Sequence, residues 1–74
     1  MIKTEMIDDI LTLIEEIEAV SDKNKEKFIE KFDELETNLQ ALNKQTTDDL
    51  VEILQEDYSD KWVAKEVIKL VTNS

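Results

Sequence analysis

Thr4-Glu5-Met6-Ile7-Asp8-Asp9-Ile10-Leu11-Thr12-Leu13-Ile14-Glu15-Glu16-Ile17-Glu18-Ala19-Val20 is the stretch that decides the fold class. Its apolar residues, Met6, Ile7, Ile10, Leu11, Leu13, Ile14, Ile17 and Val20, return at the spacing of an α-helix. At ~100° per residue they cover roughly half of the helix circumference, more than a single packing seam requires. Such a helix is either central in its fold or partly committed to another chain. Thr4 is suited to cap it, and Glu5, Asp8 and Asp9 suit the positive end of its dipole.

Working outward, Ser21-Asp22-Lys23-Asn24 interrupts the pattern and supplies a second cap. Helix 2 then extends to about Leu42 or Asn43. Its stripe, Phe28, Phe32, Leu35, Leu39 and Leu42, is narrow and heptad-like, with Ile29 off the seam. The stripe is too short to argue a coiled coil, so an antiparallel hairpin with helix 1 is the expectation. After Asn43-Lys44-Gln45, Thr46 or Thr47 is expected to cap helix 3, with Thr46 and Asp49 as an acidic capping box. Leu50, Val51, Leu54 and Tyr58 share its apolar face. Ser59 reads as the cap of a helix 4 opening at Asp60, with Trp62, Val63, Val67, Leu70 and Val71 facing inward. Fusion of the last two helices through Tyr58-Ser59 is the alternative.

Composition agrees. The 74 residues contain no Gly and no Pro, so turns needing positive φ and β-hairpin corners are disfavoured. The expected fold is one all-α domain over residues 1–74, a three- or four-helix bundle built on an antiparallel helical hairpin. With no Cys there is no disulfide to staple a thin core, and with no His the commonest metal ligand is missing. No apolar run approaches the ~20 residues of a membrane span, and the first five residues carry no signal-peptide pattern. A cytoplasmic protein without membrane contact is the default expectation.

The formal net charge of −10 argues against direct binding to nucleic acid or anionic membranes. Its distribution is uneven. Residues 1–20 carry Glu5, Asp8, Asp9, Glu15, Glu16 and Glu18 against Lys3 alone, and residues 45–58 carry Asp48, Asp49, Glu52, Glu56 and Asp57 without a base. If helices 1 and 3 are neighbours, the molecule has an acidic face able to imitate nucleic-acid phosphates before a basic protein. The bland reading is a solvated helix surface.

Other constellations are weaker. Segment 22–33 places Asp22, Asn24, Glu26 and Asp33 at calcium-loop positions, but Lys27 stands where the sharp turn needs Gly, and the lysines of the segment would repel the ion. Acyl carrier proteins share the size and charge, yet their Asp-Ser-Leu attachment sequence is missing; Ser21-Asp22 and Ser59-Asp60 have the order reversed. Asp8-Asp9, Glu15-Glu16 and Asp48-Asp49 are paired carboxylates, but adjacent helical residues point about 100° apart and no pocket-forming loops accompany them. Catalysis, cofactors and metals are therefore not expected. Tyr58 and Trp62 belong to a type enriched at binding hot spots, although a chain so poor in aromatics needs them for packing.

The expected function is a protein-binding regulator or inhibitor, by class analogy a phage-type inhibitor, immunity protein or antitoxin. Asp8, Asp9, Glu15, Glu16, Asp48, Asp49, Glu52, Glu56, Asp57 and Tyr58 would meet a partner with a basic surface. The alternative is an assembly protein that forms a homodimer through the broad face of helix 1.

Overall fold

The computed structural model describes residues 4–72. The signal-peptide reading and Lys3 fall largely or wholly outside these residues. Four helices follow one another: α1 Glu5–Val20, α2 Lys25–Gln40, α3 Lys44–Asp57 and α4 Trp62–Thr72. No strand occurs among the described residues, and no described helix is long and apolar enough to cross a membrane.

The first three helices begin at short polar side chains. Thr4 Oγ1 accepts the Ile7 N–H at 3.2 Å, Asn24 Oδ1 accepts that of Lys27 at 3.1 Å, and Asn43 Oδ1 accepts that of Thr46 at 2.8 Å. The third differs from expectation. Asn43 lies ahead of Thr46 and Thr47 and caps at least as well, so α3 starts at Lys44 and leaves Asp48 and Asp49 beyond its first turn. Thr47 Oγ1 instead donates back to the Asn43 carbonyl at 2.8 Å, and Asp49 accepts from Gln45 Nε2 at 3.3 Å. The early start also shortens α2. It closes at Gln40 with tightened bonds from the Ala41 and Leu42 N–H groups to the Asn38 and Leu39 carbonyls, both 3.2 Å.

Helices α3 and α4 are separate, but Ser59 does not cap α4. Tyr58 through Lys61 form a turn in which the Lys61 N–H donates to the Tyr58 carbonyl at 3.0 Å, and the helix begins at Trp62. Lys61 then occupies the capping position, where its side chain has no acceptor to offer. The acceptor arrives from another helix: Glu18 Oε1 on α1 receives the Val63 N–H at 3.3 Å. A carboxylate there also meets the positive end of the α4 dipole.

Packing settles the role of α1. Ile7, Ile10, Leu11, Leu13, Ile14 and Ile17 are all buried, joined by Leu35 of α2, Leu50, Ile53 and Leu54 of α3, and Val63, Ala64 and Val67 of α4. Most of the broad apolar arc is thus consumed inside the chain, while Met6 stays 43% exposed and Val20 half-buried. The closely packed pairs are α1 with α2, α1 with α4, and α3 with α4. Lys31 Nζ meets Glu16 Oε1 at 3.2 Å, two residues nearly equidistant from the first connection, as an antiparallel hairpin requires. No polar or charged side chain is buried among the described residues.

The inward faces of α3 and α4 are turned from those expected. Ile53 is buried while Val51 is half-buried, and Ala64 is buried while Trp62 and Leu70 stand in solvent. Along α4, at ~100° per residue, Val63, Ala64, Val67, Ile68, Leu70 and Val71 share one arc, while Trp62 falls on the opposite side with Lys65, Glu66, Lys69 and Thr72. Packing buries the centre of that arc, Val63, Ala64 and Val67, and leaves Trp62 and Leu70 at or beyond its edges.

Replacing Glu18 with Ala should lower stability by about 0.5–2 kcal/mol, the usual cost of a lost N-cap. Glu18→Gln, which keeps the acceptor, should cost less; a urea midpoint unmoved by Glu18→Ala would show that α4 starts without this cap. Leu35→Ala, at the one buried side chain of α2, should cost about 2–5 kcal/mol, enough to release α2 from the hairpin in this small domain. Retention of the wild-type thermal midpoint would contradict the packing described.

Candidate interaction surfaces

The acidic residues singled out in the sequence reach the surface from two helices. On α1, Asp8, Asp9, Glu15 and Glu16 are exposed; on α3, Asp48, Glu52, Glu56 and Asp57 are exposed and Asp49 is half-buried. Tyr58 terminates α3. Its N–H donates to the Leu54 carbonyl at 3.1 Å and its ring packs, half-buried, against the core. It therefore serves packing more than display.

Helices α1 and α3 do not form a closely packed pair. The helix packed most closely against both is α4, which carries Lys65 and Lys69 and is preceded by Lys61. Helices α1 and α3 share the core but meet only weakly, so the neighbourhood that a joint acidic face requires is marginal. Some carboxylates are already engaged. Glu16 pairs with Lys31 across the α1–α2 hairpin, and Asp49 bonds with Gln45 on its own helix. The Glu16 pair is largely solvated, and such pairs contribute about 0–1 kcal/mol, so it competes weakly with an incoming cation.

A second kind of surface was missed at the level of pattern. Ile29 is 56% exposed, Trp62 44% and Leu70 40%. Trp62 lies tilted against Phe28 at a ring-centroid distance of 6.0 Å, and Phe28 against Phe32 at 5.7 Å. The aromatic cluster thus spans α2 and the start of α4, with Trp62 half in solvent instead of in the core. Two open hollows border α2. One, of about 300 Å³, is lined by Phe28, Ile29, Phe32, Asp33 and Glu36. The other, of about 380 Å³, is lined by Glu36, Leu39, Gln40, Leu42, Thr47, Leu70 and Val71, where α2, α3 and α4 converge. The signal for them lay in the narrow stripe of helix 2 and in Ile29 off its seam. A helix that buries one side chain leaves apolar area uncovered.

The segment weighed as a calcium loop is helix from Lys25 onward, so Glu26, Ile29 and Asp33 follow helical geometry. Among the described residues no group of three or more His, Cys, Asp or Glu side chains is placed to hold a metal ion. No protein-family model, no curated protein and no solved structure matches the chain at a significant level.

Proposed function

We propose that the protein is a small protein-binding regulator or inhibitor that engages a basic surface of its partner through the carboxylates of α1 and α3. One observation carries this reading: α1 and α3 bear eleven carboxylates against a single base, Lys44, and most of the eleven point into solvent. Like charges concentrated on one helix repel one another and work against folding. Their attraction for an oppositely charged partner speeds encounter and suppresses wrong pairings. A basic, nucleic-acid-binding protein presents such a surface, with carboxylates standing where phosphates would lie. Small acidic helical proteins of this sort occur among phage-type inhibitors, immunity proteins and antitoxins, an analogy of class alone, and a cysteine-free chain suits the reducing cytoplasm.

The assembly reading loses its motive. Ile7, Leu11 and Ile14, through which helix 1 would pair with a second copy, are buried in the chain's own core. A dimer through that face would require the core to open.

Partner binding should weaken steeply between low salt and ~0.5 M, where attraction between exposed charges is screened. The test is a pull-down from nuclease-treated lysate with the wild-type chain and with a variant carrying Asp48→Lys, Asp49→Lys, Glu52→Lys and Glu56→Lys. A basic protein captured by the wild type, released by salt and lost by the helical, folded variant supports the mechanism. Equal capture by the variant would rule out α3 as the charged contact.

A further inference from the structure

Helix α2 is the least covered element of the bundle. Only Leu35 is buried, Phe28, Phe32, Leu39 and Leu42 are half-covered, and Ile29 projects into solvent. Its closely packed neighbour is α1, which leaves a groove along the side that meets α3 and α4. The two hollows there share Glu36, and they are otherwise mostly apolar. Among the described residues, Asp33 and Glu36 are the only charged side chains lining either hollow, and both are acidic. The α2 lysines, Lys25, Lys27 and Lys31, line neither.

Spacing says what fits. Phe32 and Leu39 are seven residues apart on α2, about 10 Å at the rise of an α-helix. Two side chains at i and i+7 of another helix stand the same distance apart, so one helix laid along α2 reaches both hollows. We propose that this groove receives an amphipathic helix of a partner protein, its apolar side chains entering the two hollows and its Lys or Arg side chains lying over Asp33 and Glu36. This rests on the reading of a basic partner given above and supplies its anchoring site. Exposed carboxylates on α1 and α3 steer the encounter, while desolvated apolar contacts hold the complex. A second copy of the chain is a poorer occupant. It brings the same net charge of −10, which opposes approach, and of its four exposed large apolar side chains Ile29 and Leu70 line this same groove, leaving only the separate Met6 and Trp62 to enter it.

The probe is a synthetic peptide of about 15 residues, three to four helical turns, with Leu at i, i+4 and i+7 and Lys or Arg on its flanks. Two controls accompany it, one of identical composition in scrambled order and one with every cation replaced by Gln. Binding is read from Trp62 fluorescence and from amide shifts in the NMR spectrum of the whole chain. The patterned peptide should bind saturably and shift amides of α2 and α4. The pair Ile29→Ser and Leu70→Ser, which removes exposed apolar area at constant charge, should weaken it about tenfold or more.

Equal binding of the scrambled peptide, with shifts on α1 and α3, would overturn the groove while leaving the acidic-surface reading standing. Equal binding of the Gln peptide would overturn the basic character of the occupant. No binding by any peptide would overturn the groove, and the pull-down above would then judge the acidic surface alone. Sedimentation of the chain by itself completes the test: a dimer dispersed by Ile29→Ser would assign the groove to a second copy and overturn the proposal, whereas a monomer supports it.

Discussion

Burial of Ile7, Ile10, Leu11, Leu13, Ile14 and Ile17 is the constraint on which the rest of the bundle depends. Each such side chain contributes about 1.5–3 kcal/mol on leaving water, and no disulfide or metal ligand set supplements the sum. A helix with so wide an apolar arc cannot be satisfied by one neighbour. Helix α2 covers one flank and α4 another, while α3 is held mainly through α4. The order of dependence explains why the exposed carboxylates are tolerated. Repulsion along α1 is offset by the apolar burial on its opposite face, and no ionised group had to be buried to close the core.

The connections follow from the missing Gly. No described residue has a positive φ, so every link is made with backbone conformations open to ordinary residues. Helix starts are capped by side chains, and the first three helices end at Ser21, Ala41 and Tyr58 through backbone bonds without a left-handed residue. Thr4, Asn24 and Asn43 serve locally, and Glu18 serves α4 from across the core. That last bond joins sequence-distant elements, so the start of α4 and the end of α1 are placed together. Trp62 is carried along with it, which sets its ring against Phe28 instead of into the core.

Much of this was legible before any coordinates. The all-helical class, the separate hairpin of α1 and α2, the cap at Thr4 and the central role open to α1 follow from periodicity and short polar breaks. Part of what escaped is local and part depends on contacts far apart in sequence. Asn43 displaces Thr46 and Thr47 within a single turn, because it comes first in the chain and accepts the Thr46 N–H. Ser59 failed as a cap because Glu18 offered a better-placed acceptor forty-five residues away from Val63. Ile53 and Ala64 lie inside the apolar arcs of α3 and α4, three residues from Leu50 and Val67, so their burial is readable from spacing, and the departure from expectation is Trp62, which falls off the α4 arc. Of the candidate interaction residues, exposure of the carboxylates was readable from charge alone. That the helices bearing them meet only weakly was not, because helix adjacency is a tertiary property.

The two surfaces differ in what they can contribute to recognition, and the difference decides how they fit together. Carboxylates in water interact with a partner over roughly a Debye length, ~8 Å at physiological salt, and lose little by staying hydrated. They raise the rate of encounter without fixing an orientation. The α2 groove has the opposite character: short range, apolar, and rimmed by only Asp33 and Glu36. An occupant there must be desolvated and placed in register, which fixes orientation and slows release. An acidic surface without an anchor would bind basic proteins indiscriminately, and an apolar groove without surrounding charge would favour self-association. Placed on one chain of net charge −10, each corrects the failing of the other.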